Sequence, residues 1–338
     1  HTHGDMLYTV AAYCGCAMSN ANSQDVVVNF FPMFWIAGED LGLLAPVYSG
    51  AAVCLLHRWD ALGWMAAVTE HRASVVTLLV DNAVEVMRHP DVKNYDLTSL
   101  QSSSVCSFVK KLSSAFREEW RDLTGSTMVE AAYGMTETNT CDTFTVGLQH
   151  DDYDLQQQPV FVGLPVPETD IIIRDFDTGE LKGIGDTGEI CVRSPSVLKS
   201  YWNKPDETKH AIRNGWLHTG DIGMVNERGL VHYLGRRKEM LKVNGMPVFP
   251  AEIEMLLGRH PAVLGSGVIG RKDEAKGEVP VAFIHLDPDQ SEGLDADSLR
   301  AWCREQMASF KVPEIRLVVS LPMTATGKVK KDELKALL

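Results

Sequence analysis

Residues 74–80 read SVVTLLV, a continuous run of β-branched and aliphatic side chains. Such a run predicts a strand buried on both faces, as strands are in a parallel sheet. Farther along the chain, residues 112–120 (LSSAFREEW) have the spacing of an amphipathic helix. We therefore expect residues 1–139 to form an α/β part built on a mixed sheet.

Residues 140–234 have a different texture, with short apolar runs between tight turns. The sequence Asp-Thr-Gly-Glu occurs at 177–180 and again at 186–189. Turn residues between short strands are typical of antiparallel hairpins. We expect this β-rich part to form a small β-barrel that completes a large domain of residues 1–234.

The pattern changes again after residue 240. Pro250 suits the first position of a helix, and apolar runs at 263–269 and 279–286 predict strands. The sequence predicts a smaller α+β domain over 241–338. Residues 235–240 (GRRKEM) suit a hinge about which this domain moves.

Composition limits the classes of function. The chain has 338 residues and a net charge of −13, so its surface repels nucleic acid. The 7 cysteines are scattered, which excludes a full disulfide framework and predicts a reducing, cytoplasmic location. The apolar stretch 41–56 is too short and interrupted to span a bilayer, so at most peripheral membrane contact is expected. We find no secretory signal peptide, and no histidine or cysteine spacing that predicts a transition-metal site.

Residues 131–139 (AAYGMTETN) combine a small-residue turn with polar side chains. Glu137 offers the hard oxygen that Mg²⁺ prefers, Thr136 can donate to a phosphate oxygen, and Tyr133 offers a flat face for a base. The alternative interpretation is an ordinary polar loop after a strand.

Two later stretches offer single charged groups near glycines. In GWLHTGDIG (215–223), Asp221 could accept hydrogen bonds from ribose hydroxyls, although Asp beside Gly is often only a turn. In 235–254, Arg236 could hold ribose or phosphate, and Gly245 lies where a backbone could approach a ligand closely. The alternative for this stretch is a solvated basic run.

Lys328 follows Gly327 in LPMTATGKVKKDEL (321–334). This is not a phosphate-binding P-loop, because Pro322 and Val329 stand where that motif needs Gly and Ser or Thr. The alternative is an exposed lysine in a basic tail.

These four stretches, in this order, resemble the motifs of the adenylate-forming superfamily. Residues 188–208 are similar to a further block of that family, and 30–39 (FFPMFWIAGE) are similar to its acyl-pocket block. The resemblance covers essentially the whole chain and points most closely to bacterial fatty acyl-CoA ligases. It implies ATP-dependent conversion of a carboxylic acid to an acyl-adenylate, followed by thioester formation with CoA, with ATP, Mg²⁺ and CoA as cofactors or substrates.

The resemblance assigns roles to residues of the larger domain. Tyr133, Gly134 and Met135 would line the adenine and acyl-adenylate site. Thr136 would contact phosphate, and Glu137 would hold Mg²⁺.

It also assigns roles later in the chain. Asp221 would bind the ribose hydroxyls, assisted by Arg236. Lys238 would be the hinge, Lys328 would bridge the carboxylate and the α-phosphate, and Gly245 would line the pantetheine tunnel.

The chain departs from the family pattern in several places. The Gly/Ser/Thr-rich phosphate loop and the N-terminal subdomain do not precede residue 1, so we expect this polypeptide alone to be a weak or inactive ligase unless a missing half acts with it. Ser104–Phe108 replace a Gly-Gly-Ala-Pro wall behind adenine. Trp35, where many relatives have His, would gate an acyl pocket that includes Gly38, or would be a core tryptophan.

Three other functions were weighed. A non-catalytic nucleotide- or acyl-binding remnant fits the absent phosphate loop but not the presence of Lys328. An adenylation domain serving a carrier protein would need an acidic anchor for a substrate amine, and Glu39 is misplaced for that. A serine hydrolase is suggested only by Ser107 and Lys110, without the companion motifs.

Overall fold

The structure is a computed structural model that describes residues 1–17, 21–131, 133–157 and 160–338. The chain forms two compact units. The first comprises His1–Cys106, Leu112–Thr219 and Gly223–His232, and the second comprises Ser107–Lys111, Gly220–Ile222 and Tyr233–Leu338. The sequence predicts a division near residue 235. In the structure the second unit begins at Tyr233 and also includes two short earlier segments, 107–111 and 220–222.

A parallel sheet organises the amino-terminal part of the first unit. Its order is β2-β1-β3-β4-β5, and each pair of neighbours is parallel. The strands are β1 (Val26–Asn29), β2 (Ala52–Leu55), β3 (Val75–Leu79), β4 (Ser102–Cys106) and β5 (Met128–Glu130). The central strand β3 is the apolar run at 74–80, and the expectation that it lies in a parallel sheet is confirmed.

Helices at 61–71, 80–87 and 114–124 contact strands of this sheet. The first unit contains eight described α-helices. They are α1 (His3–Ala12), α2 (Ile36–Glu39), α3 (Ala45–Ser49), α4 (Ala61–His71), α5 (Val80–Met87), α6 (Ser114–Thr124), α7 (Tyr153–Gln156) and α8 (Pro205–Ala211). The predicted helix at 112–120 is α6, which begins where the Ser113 hydroxyl accepts a hydrogen bond from the Phe116 backbone N–H. It ends at Gly125, whose φ of 77° is left-handed.

The core of this part is built from large side chains with almost no exposure, among them Trp64, Met65, Leu78 and Trp120. The Trp64 and Trp120 rings lie 6.2 Å apart at a tilt of 46°. Full burial of each such side chain contributes about 2–3 kcal/mol relative to exposure. This core fixes the carboxyl ends of β4 and β5, which lead into 107–111 and 131–142.

A second sheet follows, with the order β6-β7-β12-β11-β9-β8 and β10 paired to β11. Its strands are β6 (Thr143–Phe144), β7 (Phe161–Pro165), β8 (Asp170–Arg174), β9 (Gly188–Arg193), β10 (Ile212–Arg213), β11 (Trp216–Val225) and β12 (Val231–Arg236). β8 and β9 form the antiparallel hairpin that the sequence predicted, with Ile172 opposite Cys191. The predicted β-rich part is therefore confirmed.

The second unit is the predicted α+β domain. Its sheet has the order β14-β13-β16-β15, with β17 parallel to β16. The strands are β13 (Leu241–Val243), β14 (Met246–Val248), β15 (Val263–Asp273), β16 (Gly277–Leu286) and β17 (Glu314–Val318). The helices are α9 (Pro250–Leu257), α10 (Ala296–Gln306) and α11 (Lys331–Lys335).

Sequence signals explain where these helices form. Pro250 occupies the first turn of α9, and Asp295 caps α10 by accepting a hydrogen bond from the Ser298 backbone N–H. The apolar faces of the two helices, including Ile253 and Leu299, pack into one core with β16.

Within the described residues, the longest apolar helices fall short of what crossing a bilayer requires. The 7 cysteines are all free thiols.

Candidate functional site

The turn after β5 is held in place by its own backbone. The Tyr133 backbone N–H donates to the Thr143 hydroxyl at 2.9 Å, and the Asp142 N–H donates to the Tyr133 carbonyl at 3.0 Å. A Cβ atom on Gly134 would lie 1.3 Å from the Thr140 carbonyl oxygen, so only glycine fits this position. Ala132, inside the same predicted motif, lies outside the described residues.

Glu137 lies in a short 3₁₀ turn, Thr136–Thr138. Its Oε1 accepts a hydrogen bond of 2.9 Å from the Tyr201 hydroxyl, and its carbonyl accepts from the Leu198 N–H at 2.8 Å. Burial and then the neighbouring Glu137 carboxylate raise the pKa of Tyr201 to about 12. Glu137 is thus a half-buried carboxylate whose position is fixed from the later block of the sequence.

The neighbours of Glu137 face different surroundings. Thr136 is exposed, and its carbonyl lies 2.7 Å from His1 Nε2. Met135 is half-buried, and its carbonyl accepts from the Thr140 N–H at 2.9 Å. The structure therefore brings Tyr133, Gly134, Met135, Thr136 and Glu137 together on one turn.

Asp142 is a residue of this turn that the sequence analysis missed. Its Oδ2 accepts a hydrogen bond of 2.6 Å from the Thr138 hydroxyl. Burial raises the pKa of Asp142 to about 7, and the bond from Thr138 opposes that rise. A buried acid four residues after a hydroxyl gives no recognisable pattern, because its partner is set by the turn rather than by a helix or strand.

In the second unit, Asp221 and Arg236 form an ion pair. Asp221 is 2% exposed at its side chain, and its Oδ1 lies 3.1 Å from Arg236 Nε. Burial, and then the negative charge of Asp221, raise the pKa of the neighbouring Tyr233. The two residues that the sequence analysis paired on a ribose are thus adjacent.

Lys238 is exposed in the 3₁₀ turn Arg237–Glu239. The next residue, Glu239, accepts a 2.8 Å contact from Lys331 Nζ, which also lies 3.0 Å from Glu254. The segment beside the predicted hinge is therefore tied to α9 and α11. The hinge role of Lys238 stays a prediction.

Gly245 lies in the turn between β13 and β14. It has a φ of +79° and follows Asn244 at +52°, the paired left-handed values of a tight hairpin turn. No described atom lies within 4 Å of the position a Cβ would take. Backbone conformation therefore explains glycine here, and a role in the pantetheine tunnel stays a prediction.

Lys328 is exposed at the end of a turn in which its N–H donates to the Thr324 hydroxyl at 3.0 Å. The Lys328 ammonium lies 5.0 Å from the centre of the Phe108 ring. This distance suits a cation–π interaction. The departure from the family pattern at 104–108 thus places an aromatic ring beside the predicted adenylation lysine.

The predicted acyl-pocket block, 30–39, ends with α2. Trp35 is half-buried, and its ring centre lies 5.0 Å from that of Phe31 in an edge-to-face arrangement, so it packs against the core as the alternative interpretation has it. A Cβ on Gly38 would lie 2.2 Å from the Pro32 carbonyl oxygen. Neither observation tests the predicted roles in an acyl pocket.

Asp40 is an unusual carboxyl at the end of this block. It is 2% exposed, and neither carboxyl oxygen has a hydrogen-bond partner among the described residues. Burial, and then the nearby Glu39, raise its pKa to about 8. Sequence reasoning missed Asp40 because apolar neighbours gave no sign that its carboxyl is isolated.

Glu189, Cys191 and His218 converge in the second sheet, with their ligand-type atoms within 4.8 Å of one another. His218 Nδ1 lies 2.7 Å from Glu189 Oε2, which Arg213 also contacts at 3.3 Å. Hydrogen bonds and this ion pair account for the cluster without a metal.

A parallel α/β sheet, an antiparallel sheet and an α+β unit carry these motifs in this order along the chain. Residues 1–202 match the family model described as AMP-binding enzyme, and 252–328 match the AMP-binding enzyme C-terminal domain. The chain belongs to the AMP-binding enzyme family, and the predicted resemblance is confirmed.

Curated relatives include a long-chain-fatty-acid–CoA ligase of Bacillus subtilis, 30% identical over 98% of this chain and 58% of its own length. A 4-coumarate–CoA ligase 3 of Arabidopsis thaliana is 29% identical over 100% of this chain and 60% of its own. The chain spans about 60% of the length of these relatives.

Solved structures are similar over nearly the whole chain. The anthranilate CoA ligase AuaEII, in complex with anthranoyl-AMP, has a TM-score of 0.84 and 28% identity over 100% of this chain and 64% of its own. The amide bond synthetase McbA from Marinactinospora thermotolerans has a TM-score of 0.86 and 26% identity over 100% and 67%.

Proposed function

We propose that this chain is the greater part of an ATP-dependent acid–CoA ligase that forms an acyl-adenylate and then a thioester. The observation that carries the proposal is the buried Asp221 carboxylate paired with Arg236 at 3.1 Å. A carboxylate held this way can accept hydrogen bonds from two vicinal ribose hydroxyls. Burial of a carboxylate without such a use would be costly.

In the first step a carboxylate oxygen of the acid attacks the α-phosphorus of ATP, and pyrophosphate leaves. Both reactants are anions, so a cation must offset their repulsion. Lys328 supplies a single positive charge on a flexible stem. Its turn, closed by the bond from its N–H to Thr324, fixes where that stem begins.

Glu137 fits a Mg²⁺ ligand by the chemistry of its donor atoms. Mg²⁺ is commonly bound by one or two carboxylates together with substrate phosphates and waters. Such an ion would supply charge neutralisation on the phosphates. The hydrogen bond from Tyr201 would hold the Glu137 carboxylate in one orientation.

In the second step the sulfur of CoA attacks the acyl carbonyl carbon, and AMP leaves. Lys328 is not needed for this step. We propose that residues 241–338 turn about Lys238 and replace the Lys328 turn with the hairpin turn at Gly245. Gly245 is exposed and no described atom lies within 4 Å of a Cβ placed on it, which is compatible with a pantetheine chain passing it.

For the acid, we propose a fatty acid. The block 30–39 is rich in aromatic and aliphatic side chains, and an apolar pocket selects an apolar chain. A relative named for long-chain fatty acids and one named for 4-coumarate share nearly the same sequence identity with this chain, 30% and 29%. Competition between a fatty acid and 4-coumarate as substrates separates the two. A cytoplasmic location and peripheral membrane contact stay predictions.

A second candidate is a protein that binds a nucleotide without catalysis. The buried Asp221 and its partner Arg236 would serve nucleotide binding in either case. The two candidates differ in whether acyl-adenylate forms when the chain acts with a part equivalent to the remaining 42% and 40% of those relatives. Acyl-adenylate formation by the chain together with that part would exclude this candidate.

The nucleotide site can be tested on the 338-residue chain itself. Calorimetric titration with AMP and ATP should show binding that Asp221→Asn weakens by roughly tenfold or more, since a bond to a charged acceptor is lost. Asp206→Asn, an exposed carboxylate of the first unit, is the matched control. Equal affinity of the wild type and Asp221→Asn would contradict the proposal.

A further inference from the structure

Phe108 and Lys328 lie side by side, although they are far apart in the sequence. The Lys328 ammonium is 5.0 Å from the centre of the Phe108 ring. Phe108 is half-buried, whereas Lys328 is exposed. The reaction proposed above uses the lysine and gives no role to the ring. The groups that hold the ring in place show that this contact is built into the second unit.

The segment that carries the ring is closed by another lysine. Lys111 Nζ donates to the Ser107 carbonyl at 2.9 Å and to the Phe108 carbonyl at 3.1 Å. Hydrogen bonds from a charged donor are stronger than those between neutral groups. Because one ammonium binds two successive carbonyls, the backbone that carries the Phe108 ring is restrained.

Two glycines of β15 let this segment and the Lys328 turn pack against one strand. A Cβ on Gly265 would lie 2.1 Å from Val109 Cγ1, and a Cβ on Gly267 would lie 3.0 Å from Val329 Cγ1. Residues two apart on a strand point to the same face. The two valines also pack against the same buried apolar cluster. Since each valine directly follows one member of the pair, both members are anchored to one face of β15.

The ring restrains the lysine without neutralising it. A free lysine side chain has several rotatable bonds, and its rotamer entropy opposes holding the ammonium at one point. The face of an aromatic ring carries partial negative charge and attracts a cation. A carboxylate at the same place would offset the positive charge that the first step needs. An aromatic ring therefore suits a residue that must hold Lys328 and leave its charge available.

We propose that Phe108 is a positioning residue for adenylation, and that its ring face holds the Lys328 ammonium where it can reach the carboxylate and the α-phosphate. This role rests on the function proposed above. The family pattern gives the same ring an alternative role, because Ser104–Phe108 replace a wall behind adenine. A ring that packed on adenine would act on ATP binding and not through Lys328.

The contact can be tested on the 338-residue chain without measuring activity. In protein labelled with ¹³C-lysine, the ε-methylene resonance of Lys328 is identified by its loss in Lys328→Ala. The ring should shift it upfield, and the shift should disappear in Phe108→Leu and persist in Phe108→Tyr. Phe310→Leu is the matched control, since Phe310 is half-buried in the same unit and the Lys311 ammonium lies 5.9 Å from its ring. A Lys328 resonance that does not respond to Phe108→Leu would overturn the proposal.

The positioning role is measured by ATP–pyrophosphate exchange in a form of the protein that makes acyl-adenylate. The kcat should fall by roughly two- to fivefold in Phe108→Leu, the size of an exposed cation–π contact. It should stay near the wild-type value in Phe108→Tyr and Phe310→Leu. A ring-fluorinated phenylalanine at position 108 should lower it, because fluorine weakens the negative ring face with little change of shape. In a Lys328→Ala background, Phe108→Leu should cause no further loss, because the ring acts through the lysine.

Three kinetic results would overturn the proposal. The first is a change only in the KM for ATP, which would make Phe108 part of an adenine wall. The second is an equal loss in Phe108→Leu and Phe108→Tyr, and the third is a full effect of Phe108→Leu in the absence of Lys328. A wild-type protein that forms no acyl-adenylate would instead contradict the proposed function. The Lys328 resonance decides in either case whether the ring holds the lysine.

Discussion

The turn after β5 and the turn that carries Lys328 hold their polar side chains in opposite ways. Glu137 and Asp142 are fixed by hydrogen bonds from Tyr201 and Thr138, in surroundings that raise the pKa of Asp142. Lys328 is exposed, its backbone is bound into a turn, and its ammonium lies 5.0 Å from the centre of the Phe108 ring. Changes in the first turn should therefore affect stability most, whereas changes at Lys328 should affect chemistry more than stability.

The largest effect is expected at Gly134, in the first turn. Gly134→Ala would place a Cβ 1.3 Å from the Thr140 carbonyl oxygen, so the turn must move. We expect a loss of about 5 kcal/mol or more in the free energy of unfolding, measured with urea. Gly15→Ala has no atom within 4 Å and should change stability by less than about 1 kcal/mol. Similar losses for both would show that the first turn is not rigid.

Lys328→Ala tests the other half of the comparison. In a form of the protein that makes acyl-adenylate, the rate of adenylation should fall by about 10²–10³-fold, since the cation between two anions is lost. The urea midpoint should change only slightly, because an exposed cation–π contact contributes about 0.5–1 kcal/mol. Lys330→Ala, which removes an exposed i,i+3 partner of Glu333, should leave adenylation intact. Adenylation that survives Lys328→Ala would remove this lysine from the mechanism.

Asp40 differs from Glu137 and Asp142, because its carboxyl group accepts no hydrogen bond from any described residue. Its pKa is raised to about 8 in the folded state, so it favours folding less as pH rises from the ordinary range of Asp toward 8. Relative to Asp40→Asn, the wild type should lose about 2–4 kcal/mol of stability between pH 4 and pH 8.

Urea unfolding at several pH values measures this difference. The exposed Asp206→Asn should follow the wild type at every pH. Parallel curves for the wild type and Asp40→Asn would mean that a water or another group stabilises the Asp40 carboxylate.

The smallest effect is expected at Gly245. Gly245→Ala places a side chain at φ +79° in an otherwise open turn, which costs about 1 kcal/mol. Asn244→Gly should be tolerated, because glycine adopts a left-handed conformation easily. Thermal unfolding of the two variants measures this. A loss of stability far above about 1 kcal/mol in Gly245→Ala would indicate that Gly245 also has a packing role.

Element types could be predicted where a pattern is long. The run at 74–80 is β3 (Val75–Leu79), and the amphipathic stretch at 112–120 falls in α6 (Ser114–Thr124). Boundaries are less accurate. The apolar runs at 263–269 and 279–286 predict strands that stop at the polar segment between them, but β15 and β16 continue to Asp273 and from Gly277, so the turn is only 274–276. A polar side chain on a strand that faces solvent gives the same signal as a turn.

The site could be predicted in part. The motifs identify Asp221 and Arg236, which the fold pairs directly. Partners that come from distant segments could not be predicted. Tyr201 reaches Glu137 across 64 positions, and Phe108 lies beside Lys328 across 220 positions, from a segment whose family pattern was broken. Such contacts depend on tertiary packing and leave no periodic trace in the sequence.

Lys331 anchors the chain segment that follows Lys238. It holds Glu239, one residue past the proposed pivot, to Glu254 near the end of α9. The chain is therefore anchored immediately on the carboxyl side of the pivot, and bending is confined to the few residues before it. A turn at Lys238 would then move residues 239–338 together, so the Lys328 turn and the Gly245 turn would be displaced by the same rotation.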